Sequence, residues 1–148
     1  MSLLENKKII VTGGSRGIGL AIVKTCLNEG ALVAATYCNS QGGLADISSE
    51  LLKIYQMDVT DDSMIKTVSA EMTDNLGGLD VLVNNAGISE PSMFMTMDDK
   101  SWDNVIKTNL YGCYYMIKQI AFAMYRQKSG AIVNISSVFG LTGGIGQS

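Results

Sequence analysis

The chain of 148 residues contains no histidine. This absence excludes every catalytic triad that uses histidine as its base, and most catalytic zinc sites, in which histidine supplies ligands. The three cysteines, Cys26, Cys38 and Cys113, are odd in number and widely spaced. They predict neither a disulfide framework nor a zinc site and suit a reducing compartment, so we expect no bound metal and a cytoplasmic location.

Charge and long apolar runs are also scarce. Charged residues make up 17% of the chain, the formal net charge is -3, and there is no basic run. We therefore expect no nucleic-acid partner. No apolar stretch approaches the roughly 20 residues that a membrane-spanning helix requires, and no signal-peptide pattern begins the sequence, so no membrane partner is expected. The 47% hydrophobic content predicts one globular domain over residues 1–148.

Glycine, in contrast, is plentiful, and it clusters early in the chain. Residues 8–19, K-I-I-V-T-G-G-S-R-G-I-G, predict a short buried strand, a glycine-rich turn and a helix that opens at Ile18. Gly13, Gly17 and Gly19 remove Cβ atoms where a ligand would lie against the backbone. The free N–H groups and the dipole of the helix then favour an anion, most simply a pyrophosphate. From the glycines alone, a tight turn without a ligand stays open as the alternative.

Apolar strand patterns alternate with helical patterns along the chain. Strands are predicted at 9–11, 31–37, 53–57, 81–83 and 131–135, helices at 18–29, from Asp61 or Asp62 to 76, and at 101–127, and a loop at 139–148. This alternation predicts an α/β fold with a doubly wound parallel sheet. Each strand ends in small or polar residues, which parallel pairing would place along one edge of the sheet.

The predicted helix 101–127 carries one polar residue on its apolar face. The stripe consists of Trp102, Ile106, Asn109, Cys113, Ile117, Ile120 and Met124. Six of these residues suit a core, but a buried amide without partners costs roughly 1–3 kcal/mol. From periodicity alone, a structural and a functional role for Asn109 are equally open. Gly112 weakens the helix one turn later and is a candidate for a local kink.

Three segments together resemble the short-chain dehydrogenase/reductase family. They are T-G-x-x-x-G-I-G from Thr12, N-N-A-G at 84–87, and I-S-S at 135–137 followed by Val138, and they occur in this order. The resemblance covers the whole chain and implies a Rossmann fold of five strands in the order 3-2-1-4-5. The cofactor would lie across the carboxyl ends of the strands. The C-terminal part of the family fold is expected to be absent from these 148 residues.

The resemblance implies a nicotinamide cofactor, and two features favour NADP(H). The end of the second strand, A-T-Y-C-N at 35–39, lacks the carboxylate that would repel a 2′-phosphate. Arg16 supplies a guanidinium suited to phosphate, as in family members that prefer NADP, although a solvated surface arginine is the alternative. The expected cofactor-binding residues are Thr12, Gly13, Ser15, Arg16, Gly17, Ile18, Gly19, Thr36, Tyr37, Asn39, Asp58, Val59, Asn85, Ala86 and Gly87. Asp58 could instead cap the following loop, and Thr12 could brace its neighbours.

The family transfers a hydride directly between the nicotinamide and a substrate carbon, with a tyrosine as acid/base and a lysine beside it. Ser137 matches the family's catalytic serine, which hydrogen-bonds the substrate oxygen. Asn109 matches its catalytic asparagine, which binds a water of the proton relay. Without the resemblance, Ser137 would be read as a turn former. Counting from Ser137 places the tyrosine of the Y-x-x-x-K motif two residues beyond Ser148, so the 148-residue chain alone is expected to be inactive.

The resemblance thus implies an enzyme, an NADPH-dependent oxidoreductase that reduces a carbonyl to an alcohol. The motif detail is most similar to the family's bacterial 3-oxoacyl-[acyl-carrier-protein] reductases, which implies a 3-oxoacyl thioester or another small molecule as substrate. The alternatives are a sugar-alcohol or other secondary-alcohol dehydrogenase of the same family, and a truncated, non-catalytic nucleotide-binding module. The helix 101–127 is apolar on more than one face, and members of the family commonly pair through this helix, so the resemblance implies a dimer or tetramer for a complete protein.

Overall fold

A five-stranded parallel sheet forms the centre of the structure, a computed structural model that describes residues 2–146. The strands are β1 (Lys8–Val11), β2 (Leu32–Tyr37), β3 (Leu52–Gln56), β4 (Val81–Asn84) and β5 (Ala131–Asn134). The helices are α1 (Gly17–Asn28), α2 (Asp62–Leu76), α3 (Asp99–Val105), α4 (Gly112–Gln127) and α5 (Phe139–Thr142), and two short 3-10 turns lie at Gly42–Leu44 and Phe94–Thr96. The order β3-β2-β1-β4-β5 confirms the predicted doubly wound α/β fold.

The central strand β1 separates two apolar layers. Successive side chains of a strand point to opposite faces of the sheet, and Ile10 accordingly packs with Leu82 and Met116 on one face. Ile9 and Val11 pack with Val23 of α1 on the other face. Because all pairings are parallel, with Val11 opposite Ala35 and Val83, the carboxyl ends of the strands meet at one edge.

The helix ends follow from local chemistry. Gly30 has φ 79°, its N–H donates to the carbonyl of Leu27, and the N–H of Ala31 donates to the carbonyl of Cys26, so α1 ends in a Schellman motif. Asp61 caps α2 by accepting from the backbone N–H groups of Ser63 and Met64. Gly77, with φ 69°, ends that helix.

The predicted helix 101–127 is interrupted by a π-helical turn at Ile106–Tyr111, between α3 and α4. A π turn contains an extra residue, so a regular helical period cannot be continued across it into α4. Met116 is buried there, whereas Ile117 is only half-buried. The predicted stripe was wrong at its start, because Trp102 is 47% exposed. It was right at Ile120 and Met124, which are buried.

The segment after β5 also differs from its prediction. Instead of an unbroken loop it contains the short helix α5, while positions 147 and 148 of the predicted loop lie outside the described residues. Across residues 2–146, no helix has both the length and the hydrophobicity needed to cross a membrane. In the same range, no three histidine, cysteine, aspartate or glutamate side chains are grouped as a metal ion would require.

Candidate functional site

A cleft of about 620 Å³ opens along the carboxyl edge of the sheet. Five segments form its walls: the glycine turn after β1, the end of β2, the loop after β3, the N-N-A-G segment after β4, and the α3–π region. All the expected cofactor-binding residues line it except Thr12, Thr36 and Tyr37. The topology therefore brings together residues as far apart in the sequence as Gly13 and Thr108, as expected for an open parallel sheet.

The glycine turn requires two of its glycines for different reasons. Gly13 has φ +66°, and a Cβ on it would lie 2.9 Å from the Cα of Ala86. Gly17 has φ +55°, but a Cβ there would meet nothing within 4 Å. Gly13 thus permits a close approach of two backbones. Gly17 is required only for its positive φ at the start of α1, and the space beside it is empty.

The N-terminus of α1 faces this free space without a protein anion to satisfy it. Arg16 occupies the N-cap position in an extended conformation, makes no capping hydrogen bond, and no acidic residue lies in the first turn. The first N–H groups of a helix have no partner within the helix. Together with the helix dipole they make the turn at Ser15–Gly19 suited to an anion such as a diphosphate.

Thr12 braces the cleft and does not line it. It is 1% exposed, and its hydroxyl oxygen accepts from the backbone N–H groups of Asn85 and Ala86, each at 3.0 Å. The side-chain Nδ2 of Asn85 donates in return to the carbonyls of Thr12 and Gly13, both at 3.0 Å. The glycine turn and the N-N-A-G segment are therefore held together as one unit.

At the end of β2, one residue supports the glycine turn and two later ones line the cleft. Thr36 is 1% exposed and its Oγ1 accepts from the N–H of Gly13 at 3.3 Å, so its hydroxyl is committed to the turn. Cys38 and Asn39 line the cleft instead. Burial, and then the neighbouring carboxylate of Asp58, raise the pKa of the Cys38 thiol above its usual value. Cys38 is thus a poor nucleophile near neutral pH.

Asp58 and Arg16 define the charge of the cleft together with Lys107. The Oδ1 of Asp58 accepts from the backbone N–H and the hydroxyl of Thr60, both at 2.8 Å, so this carboxylate caps the following loop as well as lining the cleft. Lys107 is paired with Asp103 at 3.1 Å on the exposed side of the helix. Asp103 thereby offsets the charge of Lys107, whereas Arg16 has no ion pair among residues 2–146. The guanidinium of Arg16 is therefore the lining cation best suited to an anionic ligand.

Asn109 is not the buried polar residue that periodicity predicted. It lies in the π turn and is exposed. Its Oδ1 accepts from the backbone N–H of Ile88, and its Nδ2 donates to the carbonyl of the same residue, both at 2.9 Å. The side chain thereby fixes the loop after the N-N-A-G segment, a structural role that the sequence left open beside the catalytic one.

Ser137 lies in the turn after β5 and is exposed. Its Oγ accepts from the N–H of Phe139 at 3.2 Å, which is the turn-forming interaction expected of a serine at a strand end. Neither Ser137 nor Asn109 lines the cleft. The two residues expected to act on the substrate thus lie outside the set that lines the cleft.

Several lining residues were missed by the sequence analysis, namely Cys38, Met57, Thr60, Ile88, Asn104, Lys107 and Thr108. Each of the first four is adjacent in sequence to an expected residue, so including the neighbours of the expected residues would have found them. Asn104 and Thr108 are one helical turn apart, but no pattern in the sequence signals that this turn faces the cleft.

The Y-x-x-x-K motif was expected to be missing from the chain, but Tyr114 and Lys118 have this spacing, so the expectation was wrong as far as spacing goes. In the structure both side chains lie on the exposed side of α4, with the Nζ of Lys118 5.8 Å from the centre of the Tyr114 ring. Neither residue lines the cleft. The pair makes a cation–π contact at the surface of α4.

A parallel sheet of order 3-2-1-4-5 with a turn suited to an anion at its carboxyl edge is a doubly wound α/β fold. The family model described as short chain dehydrogenase matches residues 7–148, and the chain belongs to this family.

Curated relatives and solved structures agree with this assignment. The chain is 40% identical over 148 residues to the 3-oxoacyl-[acyl-carrier-protein] reductase FabG of Vibrio harveyi, covering 98% of this chain and 60% of the relative. It is 43% identical to the acetoacetyl-CoA reductase of a Synechocystis strain, covering 98% of this chain and 58% of the relative. The chain thus spans about 60% of the length of the curated relatives that it matches.

Two solved structures are similar throughout the described fold. "ElxO with NADP Bound" superposes with a TM-score of 0.87 at 33% identity and covers 95% of this chain and 59% of its own. A protein from Sinorhizobium meliloti 1021, described as a short-chain alcohol dehydrogenase, superposes with a TM-score of 0.90 at 32% identity. That match covers 97% of this chain and 59% of the other.

Proposed function

We propose that the cleft binds NADP(H), and that the protein reduces the carbonyl of a 3-oxoacyl thioester to an alcohol by hydride transfer from NADPH. The observation that carries the choice of cofactor is the position of Arg16. It lines the cleft at the start of α1, and Cys38 and Asn39 stand at the end of β2, where an NAD-specific site places a carboxylate. The names of the reductase relatives, and a similar structure with NADP bound, support the proposal.

The residues of the cleft fit the parts of this cofactor. The N–H groups that open α1 suit the diphosphate, and Arg16 with Asn39 suits the 2′-phosphate. Asp58 and Val59 would contact the adenine, and the small side chains at Ala86 and Gly87 leave room for the nucleoside. When bound, the cofactor supplies the hydride. Ser137 would hydrogen-bond the substrate oxygen, and we retain Asn109 as the candidate for holding a relay water.

Cofactor binding is tested on the 148-residue chain itself, by titration followed through NADPH fluorescence at fixed ionic strength. We expect NADPH to bind about tenfold more tightly than NADH or better, because a charge-assisted hydrogen bond contributes about 1.5–3 kcal/mol. Arg16→Ala should remove most of this preference, because it should weaken the binding of NADPH and leave the binding of NADH nearly unchanged. Arg126→Ala is the matched control, since Arg126 contacts the ring of Phe122 on α4 and lies outside the cleft.

Two results would contradict the cofactor assignment. One is an NADH affinity equal to or higher than that of NADPH. The other is an equal loss of NADPH binding in the Arg16→Ala and Arg126→Ala variants, which would show that the loss follows from charge or stability and not from a contact with the 2′-phosphate.

Catalysis is tested on the complete gene product by following NADPH absorbance with a 3-oxoacyl thioester and with a panel of sugar alcohols and secondary alcohols. We expect turnover of the thioester and a reduction of about 10²-fold or more in kcat for Ser137→Ala, because a donor to the developing oxyanion is lost. The 148-residue chain should bind NADPH without turnover. Faster reaction with a polyol would reassign the substrate, and binding without any turnover by the complete product would indicate a non-catalytic nucleotide-binding module.

The complete gene product is also expected to be a dimer or tetramer. Large side chains stay exposed along the π turn and α4, among them Leu110 at 57%, Phe122 at 65% and Tyr125 at 79%. An apolar face of this kind is typical of a protein–protein contact. Light scattering at micromolar concentration should show an oligomer, and a monomer alone would contradict this expectation.

A further inference from the structure

The carboxyl ends of β4 and β5 are joined by a pair of side-chain amides as well as by the backbone. Asn84 and Asn134 are register partners, and the Nδ2 of Asn84 donates to the Oδ1 of Asn134 at 2.9 Å. The backbone N–H of Ile135 donates to the carbonyl of Asn84, also at 2.9 Å. Two hydrogen bonds thus tie the last residue of β4 to the end of β5.

The burial of Asn84 costs free energy. The residue is 2% exposed, and its Oδ1 has no hydrogen-bond partner among residues 2–146. Buried polar atoms are normally paired, and an unpaired one calls for an explanation. An apolar residue of similar size would fill the same space without an unpaired oxygen. The advantage of an amide at this position therefore lies in the one bond that it makes, to Asn134.

The end of β4 connects the two sides of the site. On one side, Asn85 is bound to Thr12 and to the glycine turn through its backbone and its side chain. On the other side, Asn84 is bound to β5, and Ser137 follows Asn134 by three residues. All four residues of β5 are exposed. Side-chain packing therefore contributes little to fixing the position of this strand end, and its hydrogen bonds contribute more.

We propose that Asn134 is a positioning residue: its Oδ1, held by Asn84, fixes the end of β5 and thereby places Ser137 relative to the glycine turn. The inference rests on the proposed function, in which Ser137 contacts the substrate and the glycine turn contacts the cofactor. Asn134 itself touches neither. Its substitution should therefore affect the chemical step and spare cofactor binding.

The first test uses the complete gene product. Asn134→Leu removes the acceptor at similar size, whereas Asn134→Asp keeps an oxygen that accepts from Asn84. A misplacement of about 1 Å costs as much as 10²-fold in rate, so we expect Asn134→Leu to lower kcat about tenfold or more, with the NADPH dissociation constant changed by less than about twofold. Asn134→Asp should retain most of the activity. Asn75→Leu is the matched control, since it removes an exposed amide that donates to the hydroxyl of Tyr55 at 2.9 Å, away from the cleft.

The second test does not depend on the reaction. Hydrogen exchange of the 148-residue chain should show faster exchange over residues 135–139 in Asn134→Leu, but not in Asn134→Asp or Asn75→Leu. If the wild-type product reduces no thioester, the proposed function fails and this exchange pattern alone decides the positioning role. If Asn134→Leu does not fold, Asn134→Ala replaces it in both measurements.

Three outcomes would overturn the inference. The first is a kcat of Asn134→Leu equal to the wild-type value. The second is an equal loss of activity in Asn134→Leu and Asn134→Asp, which would show that the hydrogen bond is not what matters. The third is unchanged exchange over residues 135–139 when the acceptor is removed.

Discussion

The neighbouring strands β4 and β5 have almost the same sequence, V-L-V-N and A-I-V-N, and opposite environments. They pair residue by residue, with Leu82 opposite Ile132 and Val83 opposite Val133. Leu82 is 0% exposed and Ile132 is 39% exposed, and Val83 and Val133 differ in the same way, at 6% and 45%. An apolar run that ends in asparagine therefore predicts a strand but does not predict its burial, which depends on what covers the sheet at that point.

The same contrast divides the candidate site. The glycine turn and the N-N-A-G segment follow β1 and β4, which are buried on both faces and joined through Thr12 and Asn85. Ser137 follows β5, which has one strand neighbour and no buried residue. The part of the site proposed to hold the nucleotide thus follows buried strands, whereas the residue expected to act on the substrate follows the least covered strand.

The largest effect should come from truncating one leucine and one isoleucine that face each other across β4 and β5. Leu82→Ala should lower the free energy of unfolding by about 2–5 kcal/mol, because it opens a cavity in a closed core. Ile132→Ala should lower it by about 1 kcal/mol or less, because much of that side chain is already in water. Urea denaturation of the 148-residue chain measures both. Equal losses would show that β5 is covered in solution and that the comparison fails.

A smaller change in the free energy of unfolding should come from adding one methyl group in the glycine turn after β1 or in α5 after β5. Gly13→Ala should cost about 1–3 kcal/mol, because alanine is strained at positive φ and its Cβ would press on Ala86. It should also weaken NADPH binding. Gly140→Ala, in α5, meets open space and should be neutral or stabilise by up to about 1 kcal/mol. Thermal melting with and without NADPH separates these effects, and a Gly13→Ala variant with wild-type stability and affinity would refute the close approach.

Thiol labelling compares a cysteine that lines the cleft with one that does not. Cys38 lines the cleft and Cys113 lies half-buried on α4. Because burial raises the pKa of both thiols, both should react more slowly than a free cysteine at pH 8, where less thiolate is present. NADPH at ten times its dissociation constant should slow alkylation of Cys38 about tenfold by mass action and leave Cys113 unchanged. Equal protection of both thiols, read by peptide mass spectrometry, would indicate a global change and not occupancy of the cleft.

The smallest effect concerns the N-cap residues. The side chain of Asp61 caps α2, whereas Val138, the N-cap residue of α5, makes no capping hydrogen bond with its side chain. The hydrogen bonds from Ser63, together with that from the N–H of Met64, lower the pKa of the Asp61 carboxyl. A lowered pKa means that the carboxylate stabilises the fold above its ordinary pKa of 3.8 and that this contribution disappears as the pH falls through the lower native value. Asp61→Asn should be less stable than wild type at pH 7 and equal to it near pH 2. A difference in melting temperature that persists at the lowest pH would contradict this assignment.

Features governed by neighbouring residues could be predicted from the sequence. The five strands, the cap at Asp61, the Schellman end at Gly30 and the stop at Gly77 all depend on propensities and hydrogen bonds within a few positions of the chain. The strand order came from the resemblance to a family, because alternation of strands and helices alone does not determine it. The same resemblance supplied most of the residues that line the cleft.

Features governed by distant contacts were decided by the tertiary structure. Thr12 and Thr36 are occupied in bracing the turn because Asn85 and Gly13 come within hydrogen-bonding distance of them from other strands. The π turn brings Asn109 to the backbone of Ile88, which a regular helical period does not predict. The sequence determined where strands, turns and caps form, since their energies are local. Only the assembled sheet decided which apolar strand is buried and which polar groups stay free for a ligand, since burial and pairing depend on residues far apart in the chain.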